Sequence, residues 1–180
     1  MKTGACAYYQ FDFDGLKTRL AFRAHDEKLI EISFGEFKSG RGCSGAFDAD
    51  ILNAGGLDAG GAVEIEIIET ARRQITEYAA GLRRVFDLPF NLSGTDFQMK
   101  VWGALLQIPY GETATYREIA QAAGNRAACR AAGGAVHRNP LAIVVPCHRV
   151  IGADGSLTGF GGGLPVKEKL LSIERRFCAR

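Results

Sequence analysis

The apolar residues of this chain change their period once. Up to Phe34 they alternate: "ACAYYQFDF", a turn at Asp14-Gly15, "LKTRLAFRA", the polar link "HDEK", then "LIEISF". Alternation with period two is the pattern of half-buried strands, and Asp-Gly between two such runs is a hairpin turn. Two hairpins of one antiparallel sheet are therefore predicted. Residues 39–61, rich in Gly, Ala and Asp, read as an irregular surface segment. From Val63 the apolar positions Ile65, Ile68, Ile75, Tyr78, Ala79 and Leu82 recur at helical spacing, which predicts one amphipathic helix to about Leu82.

The stretch "VFDLPFNLSG" reads as an extended connection, and it places a domain boundary near residues 88–94. The expected organisation is a small domain over 1–90, with an antiparallel sheet and a helix, and a helical domain over 91–180. The class is α+β. In the second domain Thr95 followed by Gln98 fits a capping box, with Phe97, Val101, Trp102, Leu105 and Leu106 as the buried face of the helix it starts. "TYREIAQAAG" is a second helix, stopped at Gly124, and "AACRAAGGAVHRN" a third, stopped by Asn139-Pro140. Two short helices joined by a tight link, the second carrying arginine, have the outline of a winged helix-turn-helix.

Composition narrows the class of function. With 180 residues, 47% hydrophobic and 23% charged, the chain has the make-up of a soluble protein. No run approaches the ~20 apolar residues of a membrane span, and "MKTGACAYYQFDF" has no signal-peptide core, so a cytoplasmic protein without a membrane partner is expected. Charge is unevenly shared. Residues 1–90 carry 11 Lys/Arg against 14 Asp/Glu, net −3, and residues 91–180 carry 11 against 6, net +5. The second half can meet a polyanion. Five cysteines without any CxxC argue against a disulfide framework and for reduced thiols.

One cysteine stands out. In "LAIVVPCHRVIG" the β-branched run Ile143, Val144, Val145 reads as a short buried strand that Pro146 stops, leaving Cys147 where functional loops begin. A cysteine is a nucleophile only as thiolate and needs a base. His148 is adjacent, but neighbours on an extended segment point to opposite sides, so a bridging water or another base is expected between them.

The stretch "IVVPCHRVIGADGSLTGFGGGLPVKEKLLSIE" closely resembles the reactive segment of the O6-alkylguanine-DNA alkyltransferases, also called methylated-DNA-protein-cysteine methyltransferases. "GTDFQMKVWGALLQIPYGETATYREIAQAAG" is similar to that family's helical segment, and "RAAGGAVHRNP" to its recognition helix and the turn that follows. The resemblance implies that Cys147 accepts the alkyl group, that His148 takes its proton through a water, and that Glu174 orients His148. Asn139 would brace the turn before the reactive segment, and Tyr116 would set its hydroxyl against a flipped guanine and the neighbouring phosphate. Arg130 would fill the gap left in the base stack, on a helix whose small residues, Ala131 and Gly133 among them, suit close approach to a minor groove. Thr115, where the family commonly has serine, would contact a phosphate. The implied pocket is lined by Val136, Pro146, Val150, Phe160, Gly161 and Lys167, with Phe160 standing where the family usually has tyrosine.

The function so implied is single-turnover transfer of a methyl or alkyl group from O6-alkylguanine, and O4-alkylthymine, in double-stranded DNA to Cys147, by a monomer that needs no cofactor. A binding-only relative would lack the acceptor cysteine, a Cys-His hydrolase would need a histidine far away in sequence, and a regulatory helix-turn-helix protein would need no such cysteine. Cys6, His25 and Cys43 have no paired ligand spacing, and no metal is expected. Nothing near Cys129 in sequence would activate it.

Overall fold

The computed structural model describes residues 4–35, 62–178 and the backbone of 47–48. It separates into two units, Met1–Asn91 and Leu92–Arg180, and its architecture is α+β.

In the first unit β1 (Ala5–Phe13), β2 (Leu16–His25) and β3 (Lys28–Phe34) form the two antiparallel hairpins. A short β4 (Phe47–Asp48) pairs parallel to β1, giving the order β3-β2-β1-β4. Asp14 and Gly15 both take positive φ, 56° and 85°, as a two-residue turn that follows strand twist requires. The second link is tighter than the sequence suggests. Strand pairing runs through His25 and Lys28, so Asp26 and Glu27 alone turn the chain, both left-handed at 49° and 58°.

Helix α1 (Ala62–Ala79) lays Ile67, Ile68, Ala71, Ile75 and Tyr78 against the sheet. It ends before Leu82, which is 81% exposed, because Gly81 turns left-handed at 73° and the Leu82 amide bonds back to Glu77 O. The following extended segment adds to the edge of β3, with Leu29 N donating to Pro89 O and Asn91 N to Leu29 O. Cys6 is disulfide-bonded, whereas Cys129, Cys147 and Cys178 are free thiols; the expectation of reduced thiols fails at Cys6. Cys43 lies outside the described residues. No described helix is long and apolar enough to cross a membrane.

The second unit is a cluster of short helices: α2 (Asp96–Leu106), α3 (Tyr116–Ala122), α4 (Cys129–His137) and α5 (Leu164–Cys178). The Thr95/Gln98 capping box starts α2, with both reciprocal bonds made. Val101, Trp102 and Leu105 are buried, but Leu106, expected on the same face, is exposed. Trp102 Nε1 donates to Ala135 O at 3.0 Å and so ties α2 to α4. Between α3 and α4, Gly124 takes φ 91° and Asn125 Oδ1 accepts from Ala127 N, making the tight link of a helix-turn-helix. Two parallel two-residue strands, β5 (Ala114–Thr115) and β6 (Val150–Ile151), join the start of α3 to the chain just after Cys147.

Ile143 to Val145 do not form the strand that their β-branched side chains predict. Ile143 is left-handed at φ 72°, and the chain turns back so that Val145 N donates to Leu141 O at 2.9 Å. Local β propensity loses here to the Asn139 side chain. It donates to Leu141 O (3.3 Å) and Val145 O (2.8 Å) and accepts from Leu141 N (3.0 Å).

The α2–α4 contact leaves no room at its entrance. A Cβ added to Gly94 would stand 2.7 Å from two Trp102 ring carbons. Gly94→Ala should therefore push Trp102 off its bond to α4 and destabilise the protein by about 1–3 kcal/mol, the usual range for overpacking. Chemical denaturation of both proteins measures this, and equal stability would show that Trp102 has slack.

Candidate active site

Cys147 is the first residue of a 3-10 turn, Cys147–Arg149, entered through the Asn139-braced bend and Pro146. The turn changes the stereochemistry expected of an extended segment: sulfur and imidazole come from one tight coil, followed at once by β6. Cys147 is 8% exposed, while His148 and Glu174 are fully buried.

His148 Nε2 lies 2.8 Å from Glu174 Oε1. An ionised carboxylate can only accept, so Nε2 carries the proton in that bond and Nδ1 is the nitrogen through which the ring exchanges a proton. Burial pushes His148 below its ordinary pKa; Glu174 opposes this, and the charges of Arg149 and Lys167 reinforce it. The balance favours the neutral ring. Burial alone would push Glu174 up, but its bonds to His148 and then Arg149 override that and hold it well below the usual carboxylate range.

Arg149 was given no role by the sequence, yet it is the principal partner of the carboxylate. Its Nε donates to Oε1 and Oε2 (3.2 and 2.9 Å), its Nη2 to Oε1 (2.9 Å), and its Nη1 to Ile108 O (2.6 Å). Gly111 N completes the set, donating to Oε2 at 3.0 Å. Arginine's fixed fork suits this chelation, whereas a lysine would serve only one oxygen at a time. The clue available in sequence was helical spacing: Lys167, Leu170, Leu171 and Glu174 share one face of α5, and two charged residues on an otherwise apolar stripe demand partners.

Lys167 is buried, which lowers its pKa, and the charge of Cys147 opposes that lowering. Its Nζ donates to Val150 O at 2.5 Å and Thr158 O at 3.0 Å. Thr158 Oγ1 donates in turn to the Tyr116 hydroxyl at 3.0 Å. Val136, Pro146 and Val150 are buried, Phe160 is half-buried and Gly161 exposed.

The remaining candidates divide. Arg130 and Ala131 are exposed on α4. Gly133 instead faces the Tyr116 ring, since a Cβ there would lie 3.7 Å from it. Thr115 is the N-cap of α3: its hydroxyl donates to Glu118 Oε2 (2.8 Å) and accepts from Glu118 N (3.3 Å), and its amide also donates to that carboxylate. A phosphate contact through this hydroxyl has to compete with the cap. Among the described residues no three His, Cys, Asp or Glu side chains gather as a metal site, and His25 faces Asp26 at 3.5 Å.

Residues 96–176 match the model of the 6-O-methylguanine DNA methyltransferase, DNA binding domain. A methylated-DNA–protein-cysteine methyltransferase of Methanosarcina acetivorans is 55% identical over 109 residues, 61% of this chain and 70% of the relative. One of Mycolicibacterium paratuberculosis is 56% identical over 106 residues, 59% of this chain and 64% of the relative, so the sequence matches span about two thirds of these relatives. Over nearly the whole chain the fold is similar to a crystal structure of Mycobacterium tuberculosis OGT in complex with DNA, with TM-score 0.73, 39% identity and coverage of 95% of this chain and 94% of that one.

Two buried titratable groups set the pH response. His148 and Glu174 both have pKa values lowered on folding, so the stability they contribute is present above their unfolded values and is lost as pH falls. The melting midpoint should fall on acidification from about pH 7 through about 6.5 as His148 begins to charge in the unfolded chain, and further below about 4.5 for Glu174. His148→Asn should flatten the first part. A wild-type midpoint that rises between about pH 6.5 and 5 would contradict the assignment of His148 as a buried neutral base.

Proposed function

The chain belongs to the methylated-DNA–protein-cysteine methyltransferase family, and we propose that Cys147 is the acceptor in a direct reversal of O6-alkylguanine in double-stranded DNA. The observation that carries the reading is the fully buried Glu174, which is chelated by Arg149 and fixes the proton of His148 on Nε2 within one turn of the only buried free thiol described.

The reaction follows from that arrangement. His148 Nδ1 takes the thiol proton, through a water, and the sulfur attacks the alkyl carbon in line with the C–O bond. A C–S bond forms as the C–O bond breaks, and the electron pair leaves with guanine O6, whose anion is stabilised by hydrogen-bond donors and takes up a proton. Glu174 stays ionised and stabilises the imidazolium, the role of the buried carboxylate in a Ser-His-Asp triad. Lys167 supplies a positive charge whose field reaches the sulfur. The product is a thioether, so each molecule acts once.

The target atom lies inside a base stack, so the nucleotide must leave it, and a base whose pairing is spoiled by an O6 substituent, or by O4 alkylation of thymine, costs less to extrude. The helix pair and the basic balance of the second half support duplex binding. α4 presents exposed Arg130 and Ala131 among small residues, which favours approach to the minor groove with Arg130 taking the vacated position.

Intact mass after incubation with duplex O6-methylguanine DNA should show one added methyl, placed on Cys147 by peptide mapping, and never more than one lesion repaired per molecule. Cys147→Ser should bind the duplex but transfer nothing; transfer at the wild-type rate would end the assignment. Arg130→Ala should slow repair of duplex DNA more than reaction with free O6-benzylguanine, and equal losses on both would remove Arg130 from base extrusion.

A further inference from the structure

Thr158 makes two connections at once. Its carbonyl accepts from Lys167 Nζ, which also donates to Val150 O, so one ammonium clasps both ends of the 150–158 segment. Its hydroxyl donates to the Tyr116 oxygen. The Tyr116 ring is held from a second side by Gly133 of α4, and its backbone by the Thr115/Glu118 capping box.

A phenol has one proton and two lone pairs. With Thr158 donating to the oxygen, the Tyr116 proton is directed elsewhere, and accepting one hydrogen bond polarises the phenolic O–H and strengthens it as a donor. In the reaction above, negative charge develops on the purine as the alkyl group departs, and a donor already fixed in place stabilises that charge without reorganisation.

We propose that Thr158 is a positioning residue for alkyl transfer: its hydroxyl holds the Tyr116 hydroxyl as a donor to the departing purine, while its carbonyl helps fix Lys167. The inference rests on the reading of Cys147 as acceptor. It separates two tasks in one residue, because the carbonyl survives any side-chain substitution and the hydroxyl does not. Thr158→Val keeps the β-branched shape and removes only the donor.

Single-turnover rates on duplex O6-methylguanine DNA test this. Thr158→Val should react about tenfold more slowly, as expected for one lost hydrogen bond to a group engaged in the transition state, and Thr158→Ser should stay within about twofold of wild type. In a Tyr116→Phe background, adding Thr158→Val should cost nothing more, since the partner oxygen is already gone. A merely structural role predicts the same penalty in both backgrounds, and that result, or a Thr158→Val rate equal to wild type, would overturn the proposal. Thr158→Ala repeats the cycle should valine pack badly. Absence of any Cys147 adduct in the wild-type protein would instead bring down the functional reading and this inference with it, whereas a normal adduct with an unaffected Thr158→Val removes Thr158 alone.

Discussion

The second unit is organised around the charge of Glu174. A carboxylate taken fully out of water costs several kcal/mol unless its lone pairs are filled and its charge is matched, and here both conditions are met by groups from separate parts of the chain. Glu174 comes from α5, His148 and Arg149 from the 3-10 turn, Gly111 N from the loop after α2, and Arg149 reaches on to Ile108 O. Because Arg149 is a permanent cation, it keeps the carboxylate ionised whether or not His148 is charged. The imidazole can then change protonation during a reaction without the supporting network coming apart.

The presentation of Cys147 depends on a second device that works through backbone strain. A β-branched residue in the left-handed region costs on the order of 1–3 kcal/mol and persists only where its surroundings over-determine it. Around Ile143 those surroundings are the three Asn139 hydrogen bonds and a fully buried setting from Leu141 to Val150. What the bend achieves is a change of direction directly before Pro146, so that the next three residues coil instead of extending. A strand would have sent Cys147 and His148 to opposite faces. The coil instead brings His148, directly after Cys147, onto Glu174 of α5.

Legibility in the sequence followed the range of the interactions. The Asp14-Gly15 hairpin, the Thr95/Gln98 capping box and the Gly124 stop are all decided within four residues, and each is found where the local pattern places it. Leu82 was misplaced because a helical period continues past the glycine that ends the helix. Ile143 to Val145 were misread because a β-branched run says strand, while the group that overrides it, Asn139, acts by side-chain bonds that propensity does not see. Arg149 was passed over for the same reason at longer range: its partner is 25 residues away, and no nearby acid marks it. The roles proposed for Cys147, His148 and Glu174 rest on a family resemblance, whereas the pairing that supports them, Arg149 with Glu174, is a product of the fold.

The completeness of this network also bears on why the proposed reaction runs once. Cleaving a thioether needs either an electrophile that activates sulfur or a second nucleophile aimed at the transferred carbon. The polar groups of the 3-10 turn and of the α5 face it meets are committed to other work: His148 Nε2 to Glu174, Arg149 to Glu174 and Ile108, and Lys167 to the carbonyls of Val150 and Thr158. The other free thiols among the described residues are turned to carbonyls, Cys129 at the start of α4 to Arg126 O and Cys178 at the end of α5 to Tyr110 O. Activating water for a second displacement would require a base, and in the proposed reaction the His148 imidazole already serves the sulfur. On the reading proposed above, these commitments leave the described groups around Cys147 without a part in breaking the C–S bond, and single use follows from them.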